Sequence, residues 1–173
     1  MKLAARLLLA LVITLASSDA MAQQSPSSAE IRIGNLMPYT GPLAEFAAIA
    51  KAEAAYFDMI NDRGGINGRK VRFISLDDKS DPSLTLDLTR GLVEKDNVLL
   101  MFGSFGTAGN LAVRDFLNER KVPQLFVASG AEELIDPRAF PWTMAWQPSF
   151  RAEGRIYANY IQALYPRRKI VVL

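Results

Sequence analysis

Val98-Leu99-Leu100-Met101-Phe102, followed by Gly103-Ser104-Phe105-Gly106-Thr107-Ala108-Gly109, is the stretch whose reading decides the fold. It opens as an unbroken apolar run, the pattern of a strand buried on both faces of a parallel sheet. It breaks at Gly103 and Gly106, then resumes as Leu111, Ala112, Val113, Phe116 and Leu117, spaced like the inner face of a helix. A strand that turns through glycines into a helix leaves unpaired N–H groups at its carboxyl end, and Ser104 and Thr107 add hydroxyls there. Those amides and the helix dipole favour negative charge, and open parallel sheets take ligands in this crevice. The glycines at 103, 106 and 109 are not the dinucleotide fingerprint G-x-G-x-x-G, and no G-x-x-x-x-G-K-[ST] phosphate loop occurs in the chain. A plain structural turn is the alternative reading of the corner.

Outward from this stretch, strands and helices alternate. Ile31, Ile33 and Leu36 make a first strand, closed by Pro38 and Gly41-Pro42. Phe46, Ile49, Ala50, Ala54, Phe57 and Ile60 follow at helical spacing, and Arg63-Gly64-Gly65 is a glycine stop signal. After Asn67-Gly68, Val71-Arg72-Phe73-Ile74-Ser75-Leu76 is a second strand ending at Asp77-Asp78. Asp81-Pro82 reads as an N-cap with proline at the first helical position, and Leu84, Leu88, Leu92 and Val93 line the inner face beyond it. The third strand is 98–102, with a helix to about Arg120. Residues 122–127 give a fourth strand ending on Ala128-Ser129-Gly130-Ala131, and 141–146 a fifth extended piece. Phe150 to Tyr165 is an amphipathic helix with Ile156, Tyr160 and Leu164 on one side, and Lys169-Ile170-Val171-Val172-Leu173 reads as the start of another buried strand. The expected fold is α/β, a doubly wound, Rossmann-like parallel sheet. A buried strand at the end of the sequence leads to the expectation of a first portion of a longer protein.

Met1 to Ala22 stands apart. Lys2 and Arg6 make a basic start, Leu7 to Leu15 an apolar core, and Ala20-Met21-Ala22 a small-x-small cleavage site, the pattern of a secretory signal peptide. The apolar core is short of the about 20 residues that span a bilayer. Residues 23–29 read as a flexible leader. Of 20 basic and 18 acidic residues, Lys2, Arg6 and Asp19 fall in the signal, leaving 18 and 17. A net charge near +1 gives no electrostatic case for nucleic acid or anionic lipid. The chain has no cysteine and no histidine. Disulfides, a lipid-anchored cysteine and Ser-His-Asp or Cys-His catalysis are thereby excluded from this segment, and the usual zinc ligands are absent.

Several runs carry a family resemblance: Ile33-Gly34 through Pro38-Tyr39-Thr40-Gly41-Pro42, Asn61-Asp62-Arg63-Gly64-Gly65-Ile66-Asn67-Gly68-Arg69, and Asp77-Asp78-Lys79-Ser80-Asp81-Pro82. The Gly103 to Thr107 corner, Val122-Pro123 through Ala131, Phe140-Pro141-Trp142-Thr143 and Gln147-Pro148 continue it in order. From 30 to 173 the chain resembles periplasmic binding proteins of the branched-chain amino acid (Leu/Ile/Val-binding) type. The resemblance implies the substrate-binding subunit of an ABC importer, with two Rossmann-like lobes closing on a small ligand. It implies no cofactor and no enzyme activity, membrane permease subunits as partners, no nucleic acid, a periplasmic location and a monomer when full length. It divides the chain into an N-terminal lobe, 30–145, and a crossover with the start of a second lobe, 146–173.

The resemblance places the ligand carboxylate against the hydroxyl and amide of Thr107 and the backbone of Ala128 and Gly130, with Ser129 between them. Phe46 falls where the family often packs an aromatic ring on the ligand, and Phe105 lines the same cleft. Amino-acid-binding members often carry threonine or serine where Gly130 stands, and some carry a cysteine pair at the positions of Ser80 and Gly106. These features leave aromatic and aliphatic carboxylates open beside amino acids and amides. Structural readings stand next to each role: Phe46 as a core contact, Thr107 as a helix cap, Ser129 as a turn residue, Trp142 and Trp146 as packing. Asp77 and Asp78, adjacent on a strand, point to opposite faces and do not share a site. The Arg167-Arg168-Lys169 run reads as a solvated turn. A sensory ectodomain and an exported α/β enzyme are the other function classes. A repressor is disfavoured by the export signal where a helix-turn-helix would sit.

Overall fold

The computed structural model of the protein describes residues 30–171; the expected signal peptide and leader lie outside the described residues. In chain order the elements are β1 (Ile31–Met37), a 3-10 turn (Ala44–Phe46), α1 (Ala47–Asp62), β2 (Val71–Asp77), α2 (Pro82–Glu94) and β3 (Leu100–Phe102). There follow α3 (Thr107–Glu119), β4 (Gln124–Val127), a 3-10 turn (Glu132–Leu134), β5 (Thr143–Ala145) and α4 (Phe150–Leu164). All five strands are parallel, in the order β2-β1-β3-β4-β5. Successive crossovers therefore leave β1 in opposite directions, and the switch point opens a crevice beyond the carboxyl ends of β1 and β3.

Strand alternation sorts the core into two layers. On one face Leu36 and Met101 pack with Leu92 of α2 and Val113 and Leu117 of α3. On the other Ile33, Val71, Phe73 and Phe102 pack with Phe57 of α1. The Asp81 side chain caps α2, accepting from the N–H groups of Ser83 at 2.8 Å and Leu84 at 3.3 Å, with Pro82 following. The helix α1 ends at Arg63, immediately before Gly64-Gly65.

Several expectations need correction. The apolar run 98–102 is not wholly buried: Leu99 is 60% exposed ahead of a β3 of three residues. In α2 Leu92 is buried and Leu88 and Val93 pack half-buried on the same core, as expected, but Thr85 and Thr89 are buried beside them where only apolar residues were expected. Thr85 is taken inward because its hydroxyl reaches Asp78 Oδ2 at 2.9 Å and the Asp81 carbonyl at 2.8 Å. The amphipathic α4 forms but has no buried residue. Residues 169–171 are exposed and form no strand, since no strand among the described residues lies beside them; 172–173 lie outside those residues.

Candidate functional site

The corner after β3 is held from beneath by buried amides. Asn110, one turn into α3, donates through Nδ2 to the carbonyls of Ser104 at 3.0 Å and Gly106 at 2.6 Å. Its Oδ1 accepts from Gln124 Nε2 at 3.0 Å, and Gln124 Oε1 accepts from Thr143 Oγ1 at 3.0 Å. This network ties the corner to β4 and β5. The Ser104 hydroxyl is not offered to a ligand: it is buried and accepts from the Leu36 N–H at 3.1 Å.

Thr107 is the first residue of α3, and no side chain caps that helix. Its first-turn N–H groups lack intrahelical partners, as at any helix start, and carry the positive end of the dipole. Thr107 Oγ1 lies 2.7 Å from Ser129 Oγ, so the loops after β3 and β4 bring their hydroxyls together. Ser129 also has the turn role, its Oγ accepting from the Ala131 N–H at 3.2 Å. The backbone of Ala128 is already engaged: its N–H donates to the Ser104 carbonyl at 3.0 Å and its carbonyl accepts from the Gly106 N–H at 3.2 Å. Gly130 accepts from the Phe150 N–H at 2.7 Å, and a Cβ placed on it would come within 2.7 Å of the Phe150 ring. A threonine or serine at 130 therefore requires Phe150 to move. Phe46 and Phe105 stack, centroids 4.3 Å apart and planes at 18°. Phe105 also packs on Met37, Ala47 and Ala50, which gives the stack a core footing.

Asp77 and Asp78 serve separate loops. Asp77 Oδ1 accepts from the N–H groups of Tyr39 and Lys79, each at 3.0 Å, and Oδ2 from Thr40 Oγ1 at 2.6 Å. The Thr40 hydroxyl is the main cause that holds the Asp77 carboxyl below its ordinary range, with the backbone donors assisting against desolvation. Asp78 is buried and accepts from the Ser80 N–H and Thr85 Oγ1.

Glu53 of α1 carries a feature that sequence reading misses. Its Oε2 accepts from Asn35 Nδ2 at 3.3 Å, and a Cβ on residue 103 would run into its carboxylate, so Gly103 leaves it room. Burial pushes its carboxyl up to about 7. It sits in an apolar groove of about 560 Å³ between α1 and the ends of β3 and β4, walled by Tyr56, Phe102, Phe126 and Trp146. Among the described residues no group of three or more histidine, cysteine, aspartate or glutamate side chains is arranged to hold a metal ion.

With this geometry in hand, the comparisons decide the family. The sequence profile of periplasmic binding proteins matches residues 30–173. The chain belongs to that family. Its relatives include the Leu/Ile/Val-binding protein homolog 7 of Brucella abortus, 29% identical over 126 residues, 72% of this chain and 31% of the relative. Among solved structures it is similar to a branched-chain amino acid transporter substrate binding protein from Streptococcus pneumoniae, in complex with isoleucine. That match has a TM-score of 0.71 at 22% identity and covers 79% of this chain and 39% of the other. A solute binding protein of an ABC transporter from Rhodopseudomonas palustris, in complex with 3,4-dihydroxy benzoic acid, matches with a TM-score of 0.68 at 23% identity, over 78% and 36% of the two chains. These binding proteins share the fold, a type 1 periplasmic binding protein sheet. The chain spans about a third of the length of the Brucella relative. The family is one of solute-binding proteins, not enzymes.

Proposed function

We propose that this chain supplies the first ligand-binding lobe, 30–145, of a periplasmic receptor that hands a small carboxylate-bearing solute to an ABC importer. The observation that carries the reading is the meeting of Thr107 Oγ1 and Ser129 Oγ, 2.7 Å apart, at the uncapped start of α3. The one O–H that this pair leaves free and the first-turn helix amides make a neutral seat for a carboxylate, which binds there without a basic side chain. The Phe46–Phe105 stack supplies an apolar wall for the rest of the ligand.

In this reading 146–173 is the crossover and the start of a second lobe, and hinge closure of that lobe over the carboxylate is the whole mechanism. Residues 1–22 direct export and are cleaved, and the closed receptor meets membrane permease subunits as a monomer. The Gly130 N–H donates to the ligand in place of the engaged Ala128 backbone. The ligand is an amino acid, an amide or an aromatic acid.

A thermal-shift panel on the native-length protein tests the assignment, using leucine, valine, an aliphatic amide, benzoate and 3,4-dihydroxybenzoate. At least one raises the midpoint, and Thr107→Val lowers its affinity by roughly tenfold, the worth of one charge-assisted hydrogen bond. Stabilisation by none of them sinks the proposal.

A further inference from the structure

Gly130 takes no positive φ, so its backbone does not call for glycine; space does. A Cβ built on it would come within 2.7 Å of Phe150 Cδ1, 2.9 Å of Phe150 Cε1 and 2.9 Å of the Pro148 carbonyl oxygen. The place of a side chain on the residue after Ser129 is therefore filled by a ring from the start of α4. That ring is clamped. The Phe150 N–H donates to the Gly130 carbonyl at 2.7 Å, and the Ser149 hydroxyl donates to Glu132 Oε1 at 3.3 Å. Arg151 Nη2 pairs with Glu132 Oε2 at 3.0 Å. Ser149 Oγ also accepts from the Ala152 N–H at 3.1 Å, which fixes the helix start that carries the ring.

A phenyl ring held this firmly ordinarily belongs to a core. Phe150 joins no core cluster among the described residues and stays 52% exposed. Apolar side chains fixed beside a few polar groups are the usual lining of a small-molecule site. The clamp also takes acceptors out of the seat. The carbonyls of Ser104, Gly106, Ala128 and Gly130 each already accept an N–H. Glu132, the first carboxylate after them, is taken by Ser149 and Arg151. What the seat offers is donors: the first-turn amides of α3 and the free hydroxyl proton. A carboxylate is satisfied by donors alone. An ammonium on the next carbon loses its water there and meets no unengaged acceptor, and the face of a ring returns only part of that cost.

We propose that Phe150 is a specificity-determining residue of the carboxylate seat, its ring covering the carbon next to the ligand's carboxylate. The seat thereby prefers an alkyl or aryl acid without an α-ammonium group over the matching amino acid. The inference rests on the receptor reading and narrows its ligand. The carboxylate keeps its donors at Thr107 and Ser129, while the ring gives apolar surface to a carbon that carries no charge. The preference is a difference of two binding free energies, set by an acceptor that one ligand needs and the other does not.

Titration calorimetry on the protein at its native exported length compares pairs that differ in the α-ammonium alone: leucine with 4-methylpentanoate, valine with 3-methylbutanoate, phenylglycine with phenylacetate. In each pair that binds, the acid is expected to bind roughly tenfold or more tighter than the amino acid. Phe150→Ala is expected to bring that ratio to within about threefold of unity. A merely structural loss lowers both affinities together and leaves their ratio. Should Phe150→Ala not fold, Phe150→Leu keeps an apolar cover over Gly130 and is expected to lower the ratio by about threefold. A parent ratio under roughly tenfold, or one that favours the amino acid, overturns the proposal and leaves the receptor standing. A ratio that the folded variant does not move overturns the role of Phe150. Binding by none of these ligands overturns the proposal whatever the thermal-shift panel reads, and a flat panel as well removes the receptor reading with it.

Discussion

The two faces of the sheet are built from the same alternating strands and end up in different states. Under α2 and α3, Leu36, Leu92, Met101, Val113 and Leu117 close on one another and leave no open surface. Under α1, Ile33, Phe57 and Val71 close in the same way, but the layer stops at Phe102. Beyond it Phe126, Met144 and Trp146 remain exposed, with a half-buried glutamate at the boundary. Periodicity therefore records which side chains are meant for burial. It does not record what buries them.

The largest expected effect tests that contrast directly. Leu117→Ala in the closed face removes a fully buried side chain and should cost about 3 kcal/mol. Phe126→Ala in the open face should cost less than about 1 kcal/mol, because that ring is partly solvated and its backbone is strained. Urea unfolding of both variants of this chain reads the difference. Equal losses would mean the two faces are equally complete.

Glu53→Gln sharpens the comparison by asking what the open boundary costs. The Glu53 carboxyl is raised from 4.5 to about 7 in the folded state, so the folded protein holds this proton more tightly than the unfolded chain. Its contribution to stability is full below pH 4.5 and is lost as pH rises through about 7. The glutamine variant loses that slope. After allowance for solvent screening, it should be more stable than the parent by about 1 kcal/mol on the alkaline side and equal to it in acid. Parallel stability curves from urea melts across pH would show that Glu53 is ordinary surface.

The order of strands and helices is legible in the sequence because it rests on local signals. Asp81-Pro82 starts α2 and Arg63-Gly64-Gly65 ends α1 where capping chemistry puts them. The crevice is legible for the same reason, since glycines after an apolar run mark the corner and Thr107 and Ser129 meet at it. What stays hidden depends on partners far along the chain. Ser104 looks like a ligand hydroxyl until Leu36 claims it, and Glu53 looks like helix surface until Asn35 and Gly103 enclose it. Asn110 and Gln124 read as polar breaks in apolar patterns, yet they are buried because each satisfies the other. The inward turn of Phe126 has no local mark at all, since left-handed backbone is unusual for phenylalanine.

The smallest expected effect concerns the rim where the closed face meets the crevice. Asp77 is only part-buried, but its carboxylate gathers the Tyr39, Thr40 and Lys79 amides and the Thr40 hydroxyl, and so anchors the loop that leads to Phe46. Its carboxyl lies below the ordinary value of 3.8, so its contribution is present above that pH and is lost as pH falls through the lower folded value. Asp77→Asn keeps an acceptor for the amides and loses the charge, so global stability at neutral pH should barely change. Amide exchange at Tyr39 and Thr40 should still quicken, because local opening of a rim loop is independent of the core. A fall in the urea midpoint as large as that of Leu117→Ala would place Asp77 in the closed layer. Unchanged exchange would mean that the Phe46 wall is held by its packing on Phe105, Met37 and Ala50 alone.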